Sequence, residues 1–293
     1  MAEKKQSVLL LIDSNALVHR FFHALPIFTA PNGQPTNALY GVAGVLLKIF
    51  KEQQPDYIAA AFDRPEKTFR EEEYKEYKIQ RPPTVTELVG QIIKAHDVFS
   101  WFGVKTLEIP KFEADDIIAT LTEKFRKEPN LKIVILSGDL DNLQLVENDK
   151  VVVQFIKTGV TETVIYNEKA VEEKYGLKPA QLIDYKGLVG DVSDNIPGVR
   201  GVGPKTASPL LKEFGTVEEV FENISIINKS AAKKLEGQKE IALLSKKLAT
   251  MRRDAPIEIK NLDEIKSKPL NKNILTEEFA KLGFKSLIER LGK

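Results

Sequence analysis

Aspartates follow several short apolar runs of this sequence, where they would lie at the ends of buried strands. Three runs have the length of a buried strand, and each is followed by one or two aspartates. The runs are Val8–Ile12, Tyr57–Phe62 and Ile133–Leu136, and the aspartates are Asp13, Asp63, Asp139 and Asp141. Because the carboxyl ends of parallel strands meet at one edge of a sheet, we expect these side chains to converge on one rim.

A second acidic group belongs to the same predicted rim. Glu113, Asp115 and Asp116 follow the segment Val104–Pro110, whose start has the character of a strand, and they stand where a helix should begin. Taken singly, any acid on this rim would be explained as a helix cap or as a first-turn acid favoured by the helix dipole. Acids at four separate strand ends, with no basic residue among them, favour metal binding when they are taken together.

Clustered carboxylates suit Mg²⁺ or Mn²⁺, because these hard cations prefer oxygen ligands. Hydrolysis of a phosphodiester at neutral pH often uses two such ions, which activate water and stabilise the leaving oxygen. Acids brought together also repel one another, so a rim of this kind is costly unless cations neutralise it. The rim therefore predicts a site for two divalent metal ions, with Mg²⁺ as the expected metal and Mn²⁺ as a substitute.

A further pair of acids, Asp191 and Asp194, lies in the segment Gly190–Gly198. In a helical turn their spacing would let both carboxylates point at one ion. The glycines and the proline of the segment permit a tight approach to a ligand. A solvated surface loop explains the same residues when the segment is considered alone.

Helical periodicity connects the predicted strands. Apolar residues recur at helical spacing over 39–50 and again over 85–99. Strands that alternate with helices predict an α/β fold with a mostly parallel central sheet flanked by helices. From about residue 174 the pattern becomes helical, with prolines suited to first turns and glycines to helix ends. We therefore predict an α/β domain over residues 1–173, which carries most of the acids, and a helical subdomain over residues 174–293.

Composition narrows the class of protein. A chain of 293 residues that is 42% hydrophobic and 29% charged can bury a sizeable core and should be globular. The absence of cysteine excludes disulfides, thiolate zinc sites and cysteine nucleophiles. The apolar run Val8–Ile12 fits neither a signal peptide nor a membrane span, so we expect a cytoplasmic protein. The net charge of +1 does not argue against DNA binding, because setting aside nine acids gathered at metals leaves +10 on the rest.

The segment Gly198-Val-Arg-Gly-Val-Gly-Pro-Lys-Thr-Ala207 is typical of a hairpin loop that leads into a helix. Free backbone N–H groups and the dipole at a helix start suit a phosphate, and Lys205 and Thr206 are placed for the same anion. The glycine spacing matches neither a Rossmann fingerprint nor a Walker A motif. A plain helix-linking turn is the alternative to a loop that binds duplex backbone without reading sequence. The glycines concerned are Gly198, Gly201 and Gly203.

Residues 69–83 interleave basic and aromatic side chains shortly after Asp63. A connection that carries stacking platforms and cations is what a channel for single-stranded nucleic acid requires. Positive and negative charges nearly balance in this stretch, so an exposed, salt-bridged helix is the alternative. We expect a helix and loop that let a free 5′ strand pass over the acidic rim. The predicted DNA contacts are Phe69, Arg70, Tyr77, Lys78 and Arg81.

Several short segments combine into one pattern. They are Leu11-Ile-Asp13, Phe21-Phe-His-Ala-Leu25, Ala61-Phe-Asp63, Tyr77-Lys78-x-x-Arg81, Phe112-Glu-Ala-Asp-Asp116, Gly138-Asp-Leu-Asp-Asn-Leu-Gln-Leu145, and the stretches 190–198 and 198–207. Together they resemble the 5′–3′ exonuclease, or 5′ nuclease, domain at the N-terminus of bacterial DNA polymerase I, which is related to flap endonucleases. The resemblance covers nearly the whole chain.

The resemblance implies a PIN-like α/β fold, a helical arch, and a helix-hairpin-helix-like element that binds duplex DNA in the C-terminal subdomain. It also implies two metal sub-sites. The inner ligands would be Asp13, Asp63, Glu113, Asp115 and Asp116, and the outer ligands Asp139, Asp141, Asp191 and Asp194. Arg20, Tyr77, Lys78 and Arg81 would contact the scissile phosphate or the threaded 5′ strand. Lys205 and the Gly198–Gly203 loop would hold downstream duplex, with a K⁺ ion on the loop carbonyls.

Two positions depart from the family pattern. Leu140 stands where the family often has a lysine between two aspartates, so a cation that would tune the outer sub-site is missing. Pro209 falls inside the helix expected after Lys205, so we expect a bend or a shortened helix there.

The predicted function is that of a structure-specific 5′ nuclease, a Mg²⁺-dependent 5′–3′ exonuclease and flap endonuclease of primer removal and repair. Its substrate would be branched or 5′-flapped DNA, with RNA-primed DNA as a further candidate. Lys78 and Arg81 would offset charge on the phosphate. We expect a monomer without a membrane partner, either free-standing or beside a polymerase domain. A catalytically silent DNA-junction binding module and a PIN-type ribonuclease remain as alternatives.

In the predicted nuclease, the metal ligands that take part in catalysis would include Asp13, Asp63, Asp115 and Asp141.

Overall fold

A six-stranded sheet forms the centre of the protein, whose computed structural model describes residues 6–158 and 162–292. The strands are β1 (Ser7–Asp13), β2 (Tyr57–Ala61), β3 (Lys105–Leu107), β4 (Leu131–Ser137), β5 (Val151–Thr158) and β6 (Glu162–Tyr166). Their order is β3-β2-β1-β4-β5-β6, and only β6 runs antiparallel to its neighbour. The predicted mostly parallel sheet is therefore confirmed, while β5 and β6 were not predicted.

Helices cover both faces of the sheet and make up most of the second half of the chain. They are α1 (Ser14–Ala24), α2 (Asn37–Lys48), α3 (Phe69–Glu73), α4 (Thr86–Trp101), α5 (Ala114–Phe125), α6 (Glu168–Tyr175), α7 (Leu182–Val189), α8 (Pro204–Phe214), α9 (Val217–Glu222), α10 (Lys229–Leu235), α11 (Lys239–Ala249), α12 (Lys272–Lys281) and α13 (Lys285–Gly292). Among the described residues, no helix is long and apolar enough to cross a membrane.

The central strands are apolar on both faces, which explains their continuous hydrophobic runs. In β1, Leu10 and Ile12 pack into a core with α1, α2 and α4. Leu9 and Leu11 point to the other face and pack into a core with α5. This alternation fixes the register of the strand, because a shift by one residue would exchange the two faces.

The register places the acids of the first two strands side by side. Asp13, the last residue of β1, pairs with Ala61 of β2, and Asp63 follows two residues later. On the other side of β1, Ile12 pairs with Leu136 of β4, which is followed by the turn that carries Asp139. The strand ends therefore meet at one edge of the sheet, as expected.

The C-terminal part of the chain divides differently from the prediction. A separate helical core extends from Leu177 to Ala242. Beyond it, Met251 and Ile259 pack on the α5 face of the sheet, and Phe279 and Leu287, from α12 and α13, pack on the α2 face. The predicted subdomain over 174–293 is corrected in this respect, since its last part belongs to the α/β body. The boundary at 173 lies within α6 and remains a prediction.

Candidate active site

A cavity of about 590 Å³ opens where the strand ends meet. Acids line much of it, joined by the basic side chains of Arg20, Lys78 and Arg81. The cavity therefore brings together residues from the sheet, from the stretch after β2 and from the segment between α7 and α8. The acids that line the cavity are Asp13, Asp63, Glu113, Asp115, Asp139 and Asp194.

Asp13 is held at the centre of the inner group by neutral donors. Its carboxylate caps α1 by accepting from the Ala16 N–H at 3.0 Å, and it accepts from the Ser137 hydroxyl at 2.6 Å. Burial raises the pKa of Asp13 to about 7, with further contributions from the charges of Asp63 and Asp139, although both hydrogen bonds oppose the rise. Asp13 therefore caps α1 and also lies among the acids of the rim, so the two explanations offered by the sequence do not exclude each other.

Asp63 and Asp115 approach the same space from β2 and α5. Asp63 accepts from the Ala114 N–H at the start of α5, at 2.7 Å. Asp115 accepts from the Asn142 side chain at 2.8 Å. Burial raises the pKa of both carboxyl groups, and in Asp115 the charges of Asp13 and other nearby acids raise it further. In Asp63 the charge of Glu113 adds to the effect of burial, while the cations Lys78 and Arg81 partly offset it.

Glu113 links the rim to the stretch after α3. The Lys78 ammonium donates to its carboxylate at 2.7 Å, and the Tyr77 hydroxyl donates at 3.2 Å. Lys78 has a φ of 56°, in the left-handed region that residues with a side chain rarely adopt. The backbone is therefore held in a special conformation where this ammonium group faces the acids.

Asp194 provides the second contact for the same basic stretch. Arg81 donates to one carboxylate oxygen at 2.6 Å, and the Tyr77 hydroxyl donates to the other at 3.0 Å. The Lys78 N–H also donates to the Asp194 backbone carbonyl at 2.9 Å. The stretch after α3 is thus joined to the segment between α7 and α8.

Lys186 organises the outer acids, and the sequence analysis did not identify it. From α7 its ammonium group donates to Asp141 and, at 2.6 Å, to Asp191. Although burial alone would lower the pKa of Lys186, the two carboxylates raise it overall. Lys186 precedes Asp191 by little more than one helical turn, so their ion pair could have been predicted from the spacing in the sequence.

Asp139 connects the inner and outer acids. Its carboxylate accepts from the Asp141 N–H at 2.9 Å, while its own N–H donates to the Ser137 hydroxyl. Burial, and then the charge of Asp139, raise the pKa of Asp141 to about 7, against the effect of Lys186. Leu140 between these two aspartates packs against the hydrophobic core rather than facing the acids.

The assignment of Asp116 as a metal ligand is corrected by the structure. Asp116 is fully buried, and both its oxygens accept from the Arg70 guanidinium at 2.7 Å. They also accept from the Glu113 N–H at 3.1 Å and from the Arg252 N–H at 2.8 Å. Because these donors surround the carboxylate, it is a buried partner of Arg70 and is not available to an ion in the cavity.

Three predicted DNA contacts are corrected as well. Arg70 is buried and also donates to the carbonyls of Leu248 and Thr250. Phe69 lies against the Arg70 and Arg252 guanidinium groups, with distances of 4.6 and 5.1 Å to its ring centroid. Tyr77 is buried with its hydroxyl between two acids. The aromatic groups of this stretch therefore support the site, and Lys78 and Arg81 remain as its predicted DNA contacts.

Arg20 lines the cavity from α1. Its guanidinium donates to the Lys157 carbonyl and lies 5.7 Å from the centroid of the Phe155 ring. This places one further cation at the rim, on the side of β5.

The predicted glycine loop joins α7 to α8, as a helix-hairpin-helix-like element requires. Gly198 has a φ of 63°, and a Cβ there would lie 2.3 Å from the Gly190 nitrogen, so only glycine fits this approach. Gly201 and Lys205 are exposed, and Gly203 caps α8. Thr206 donates its N–H to the Gly203 carbonyl. Helix α8 runs from Pro204 to Phe214 without interruption at Pro209, so the expected shortening is wrong.

The donor set suits a hard divalent cation, although the acids are not gathered around an ion. Among the residues that the structure describes, no three acidic or histidine side chains converge closely enough to hold one. The Lys78 ammonium lies between Glu113 and Asp194, at 2.7 and 3.9 Å, and the Lys186 ammonium lies between Asp141 and Asp191. The available metal-ligating atoms are carboxylate oxygens, and the pKa values of Asp13, Asp115 and Asp141 are raised. A bound Mg²⁺ or Mn²⁺ ion would stabilise the negative charge of these groups.

Two family models together match most of the chain. The 5′-3′ exonuclease N-terminal resolvase-like domain matches residues 8–176, and the 5′-3′ exonuclease C-terminal SAM fold matches residues 177–273. The chain belongs to the 5′-3′ exonuclease family. It is 38% identical to a 5′-3′ exonuclease of Aquifex aeolicus, over 97% of this chain and 95% of the relative.

Further similarities are to a DNA polymerase and to two solved structures. The chain is 42% identical to DNA polymerase I of Bacillus subtilis over its whole length, and it spans 33% of that relative. The fold matches bacteriophage T5 D15 flap endonuclease, solved in a complex with DNA and metal ions, with a TM-score of 0.68 at 23% identity over 94% of this chain and 99% of that one. The catalytic core of Rad2 with DNA substrate gives a TM-score of 0.63 at 16% identity, over 95% and 88% of the two chains. These structural likenesses concern the fold.

Proposed function

We propose that this chain is a structure-specific 5′ nuclease, active as a 5′–3′ exonuclease and as a flap endonuclease on DNA. The observation that carries the proposal is the cavity in which acids from three strand ends face the basic side chains of Lys78 and Arg81. Acids can hold metal ions there while the cations face a phosphate. Membership of the 5′-3′ exonuclease family supports the same activity.

Eight carboxylates would hold two metal ions, Mg²⁺ by preference and Mn²⁺ as a substitute. When bound, such ions supply an activated water and stabilise the leaving oxygen. The similarity of the fold to T5 5′-exonuclease, solved with divalent zinc ions bound, supports a requirement for divalent metal. The proposed inner ligands are Asp13, Asp63, Glu113 and Asp115, and the proposed outer ligands are Asp139, Asp141, Asp191 and Asp194.

Lys78 and Arg81 would bind the scissile phosphate and offset the negative charge that develops on it. In the structure both are paired with acids of the rim, at 2.7 Å to Glu113 and 2.6 Å to Asp194. A phosphate oxygen offers the same kind of acceptor, so the two side chains can exchange one partner for another. Arg20 would bind the strand at the opposite side of the cavity.

The Gly198–Gly203 loop would bind the backbone of downstream duplex DNA, together with Lys205 and Thr206. Exposed backbone at a helix start and an adjacent lysine suit phosphates. We include a K⁺ ion on the loop carbonyls in this proposal, as the family resemblance implies. Such a loop would position the duplex without selecting its sequence.

The proposed substrate is branched or 5′-flapped DNA, and RNA-primed DNA is included. The polymerase relatives, of which this chain spans a third, make primer removal and repair the proposed setting. Action as a monomer, location in the cytoplasm and cooperation with a polymerase domain remain predictions.

A 5′-labelled DNA flap tests the proposal directly. With Mg²⁺ we expect a short labelled product, and excess EDTA should abolish it. A chain that binds the flap without cutting it would be a silent junction-binding module. A chain that cuts an RNA flap and leaves the DNA flap intact would be a PIN-type ribonuclease.

A further inference from the structure

We propose that α11 determines where the substrate is cut, because Gln238 and Ser245 hold the duplex-binding loop in a fixed position relative to Asp191 and Asp194. Both residues would be positioning residues that touch neither DNA nor metal. The inference rests on the proposed function, in which the Gly198–Gly203 loop binds duplex and the acids hold metal ions.

The acidic segment and the duplex-binding loop share a joint at Gly198. Asp191 and Ile196 exchange backbone hydrogen bonds at 2.9 and 2.8 Å, which closes the acidic segment on itself. Gly190 and Gly198 lie in backbone contact where the segment returns to α7. A change in the backbone at Gly198 would therefore move both the acids and the loop.

Ser245 holds this joint from α11. Its hydroxyl accepts from the Gly198 N–H at 3.0 Å, and the side chain is completely buried. Without the Ser245 hydroxyl, the Gly198 N–H would be a buried donor with no acceptor, which would cost folding free energy. Ser245 thus fixes the point from which the loop departs.

Gln238 holds the loop on its far side. At the start of α11, its side-chain oxygen accepts from the Arg200 N–H at 2.9 Å, and its amide nitrogen donates to the Arg200 carbonyl at 3.3 Å. The same nitrogen donates to the Lys234 carbonyl at 2.7 Å, which ties the amide to the end of α10. Gly198 and Gly201, on either side of Arg200, both have positive φ and are conformationally permissive. The amide therefore restrains a backbone that glycines would leave free to rotate.

The remainder of α11 is tied to the helix that leads into the acidic segment. The Lys246 ammonium lies 2.7 Å from Asp184 of α7 and 2.6 Å from Glu218 of α9. These contacts make α11 a common support for α7, for the acids that follow α7 and for the loop. The separation between the cutting site and the bound duplex is then set by one helix.

The test compares cleavage positions rather than rates alone. Gln238→Met keeps the length of the side chain and removes its hydrogen bonds. The matched control is Gln181→Met, because Gln181 ties helices of the same region by donating to the carbonyls of Leu211 and Gly215, at 2.8 and 3.0 Å, without touching the loop. Each protein is assayed on one 5′-labelled flap with Mg²⁺, and duplex affinity is measured by fluorescence anisotropy in EDTA.

We expect wild type and Gln181→Met to cut at the same position. Gln238→Met should spread its products over adjacent positions and bind duplex roughly five- to tenfold more weakly, as the loss of neutral hydrogen bonds implies. Ser245→Ala should spread the products in the same way. Thermal unfolding of all four proteins shows whether each is folded and whether Gln181→Met is destabilised to a similar degree as Gln238→Met.

Two results would overturn the inference. One is an unchanged cleavage position and duplex affinity in both Gln238→Met and Ser245→Ala. The other is an equal spread of products in Gln181→Met, which would mean that general loosening is the cause. Failure of the proposed function looks different, because the wild-type protein would then give no EDTA-sensitive product.

Discussion

Two inner acids of the rim, Asp13 and Asp115, differ from two outer acids, Asp141 and Asp191, in the kind of partner that each pair has. In the described structure, Asp13 and Asp115 accept hydrogen bonds from the neutral groups of Ala16, Ser137 and Asn142, and their pKa values are raised. Two outer acids, Asp141 and Asp191, share the Lys186 ammonium, which lowers the pKa of Asp191 although burial opposes the change. Asp13 and Asp115 are thus brought together by the sheet and α5 without a paired cation, whereas α7 supplies a cation to Asp141 and Asp191.

The largest expected effect comes from removing one unbalanced inner acid. Asp115→Asn keeps the side-chain size and removes a proposed metal ligand, so cleavage of the flap should fall by roughly 100-fold or more. Duplex affinity in EDTA should stay within about twofold, since the loop lies elsewhere. Single-turnover rates at saturating protein check the first value. Cleavage at the wild-type rate would remove Asp115 from the metal site.

A buried acid outside the cavity should behave in the opposite way. Asp116→Ala leaves the Arg70 guanidinium without its main buried partner, so the free energy of unfolding should fall by about 3 to 5 kcal/mol. The affinity of the folded protein for Mn²⁺ should change little, because Asp116 does not reach the cavity. Denaturant unfolding and calorimetric Mn²⁺ titration provide the two measurements. A large loss of Mn²⁺ affinity in folded protein would restore Asp116 to the ligand set.

The third effect concerns the outer cation. Lys186→Met releases Asp141 and Asp191 from their shared ammonium, so the weaker-binding metal ion should bind about fivefold more tightly, as the loss of one competing ion pair implies. Lys247→Met is the matched control, since Lys247 pairs with Glu73 on the surface. Calorimetric titration with Mn²⁺ measures both variants. Equal or weaker binding in Lys186→Met would show that the lysine supports the ion instead of competing with it.

A fourth effect is a dependence of stability on pH in the absence of metal. The pKa of Asp13 is about 7 in the folded protein against 3.8 ordinarily, so the folded state retains a proton that the unfolded chain has lost. The stability contribution of this group is therefore greatest at low pH and is lost as pH rises toward 7. Unfolding temperatures in EDTA from pH 5 to 8 should fall more steeply for wild type than for Asp13→Asn. Parallel curves for the two proteins would contradict the raised pKa.

The positions of Asp13 and Asp63 were predictable from sequence because both residues lie at strand ends. A short apolar run followed by an aspartate identifies both the strand and the edge at which the side chain emerges, as Asp13 and Asp63 show. The partners of the acids were harder to predict. Asn142 and Ser137 are ordinary polar residues whose roles depend on the packing of separate strands and helices.

The errors also have a common physical cause. Arg70, Phe69 and Tyr77 have the residue types of a nucleic-acid surface, and spacing cannot show whether such side chains face inward. Long-range contacts decide the matter, since Arg70 meets Asp116 and the carbonyl of Leu248. The return of α12 and α13 to the sheet was missed for the same reason, because helical periodicity does not identify the surface on which a helix packs.

That return has a consequence for the order in which the protein can fold. Tyr40 of α2 contacts the Phe284 ring, with 5.3 Å between centroids, and its hydroxyl lies 2.8 Å from that of Ser286. The apolar layer over the first strands is therefore finished by residues synthesised more than two hundred positions later. During translation that layer would remain uncovered until α12 and α13 leave the ribosome, a period in which chaperone binding or aggregation would compete with folding.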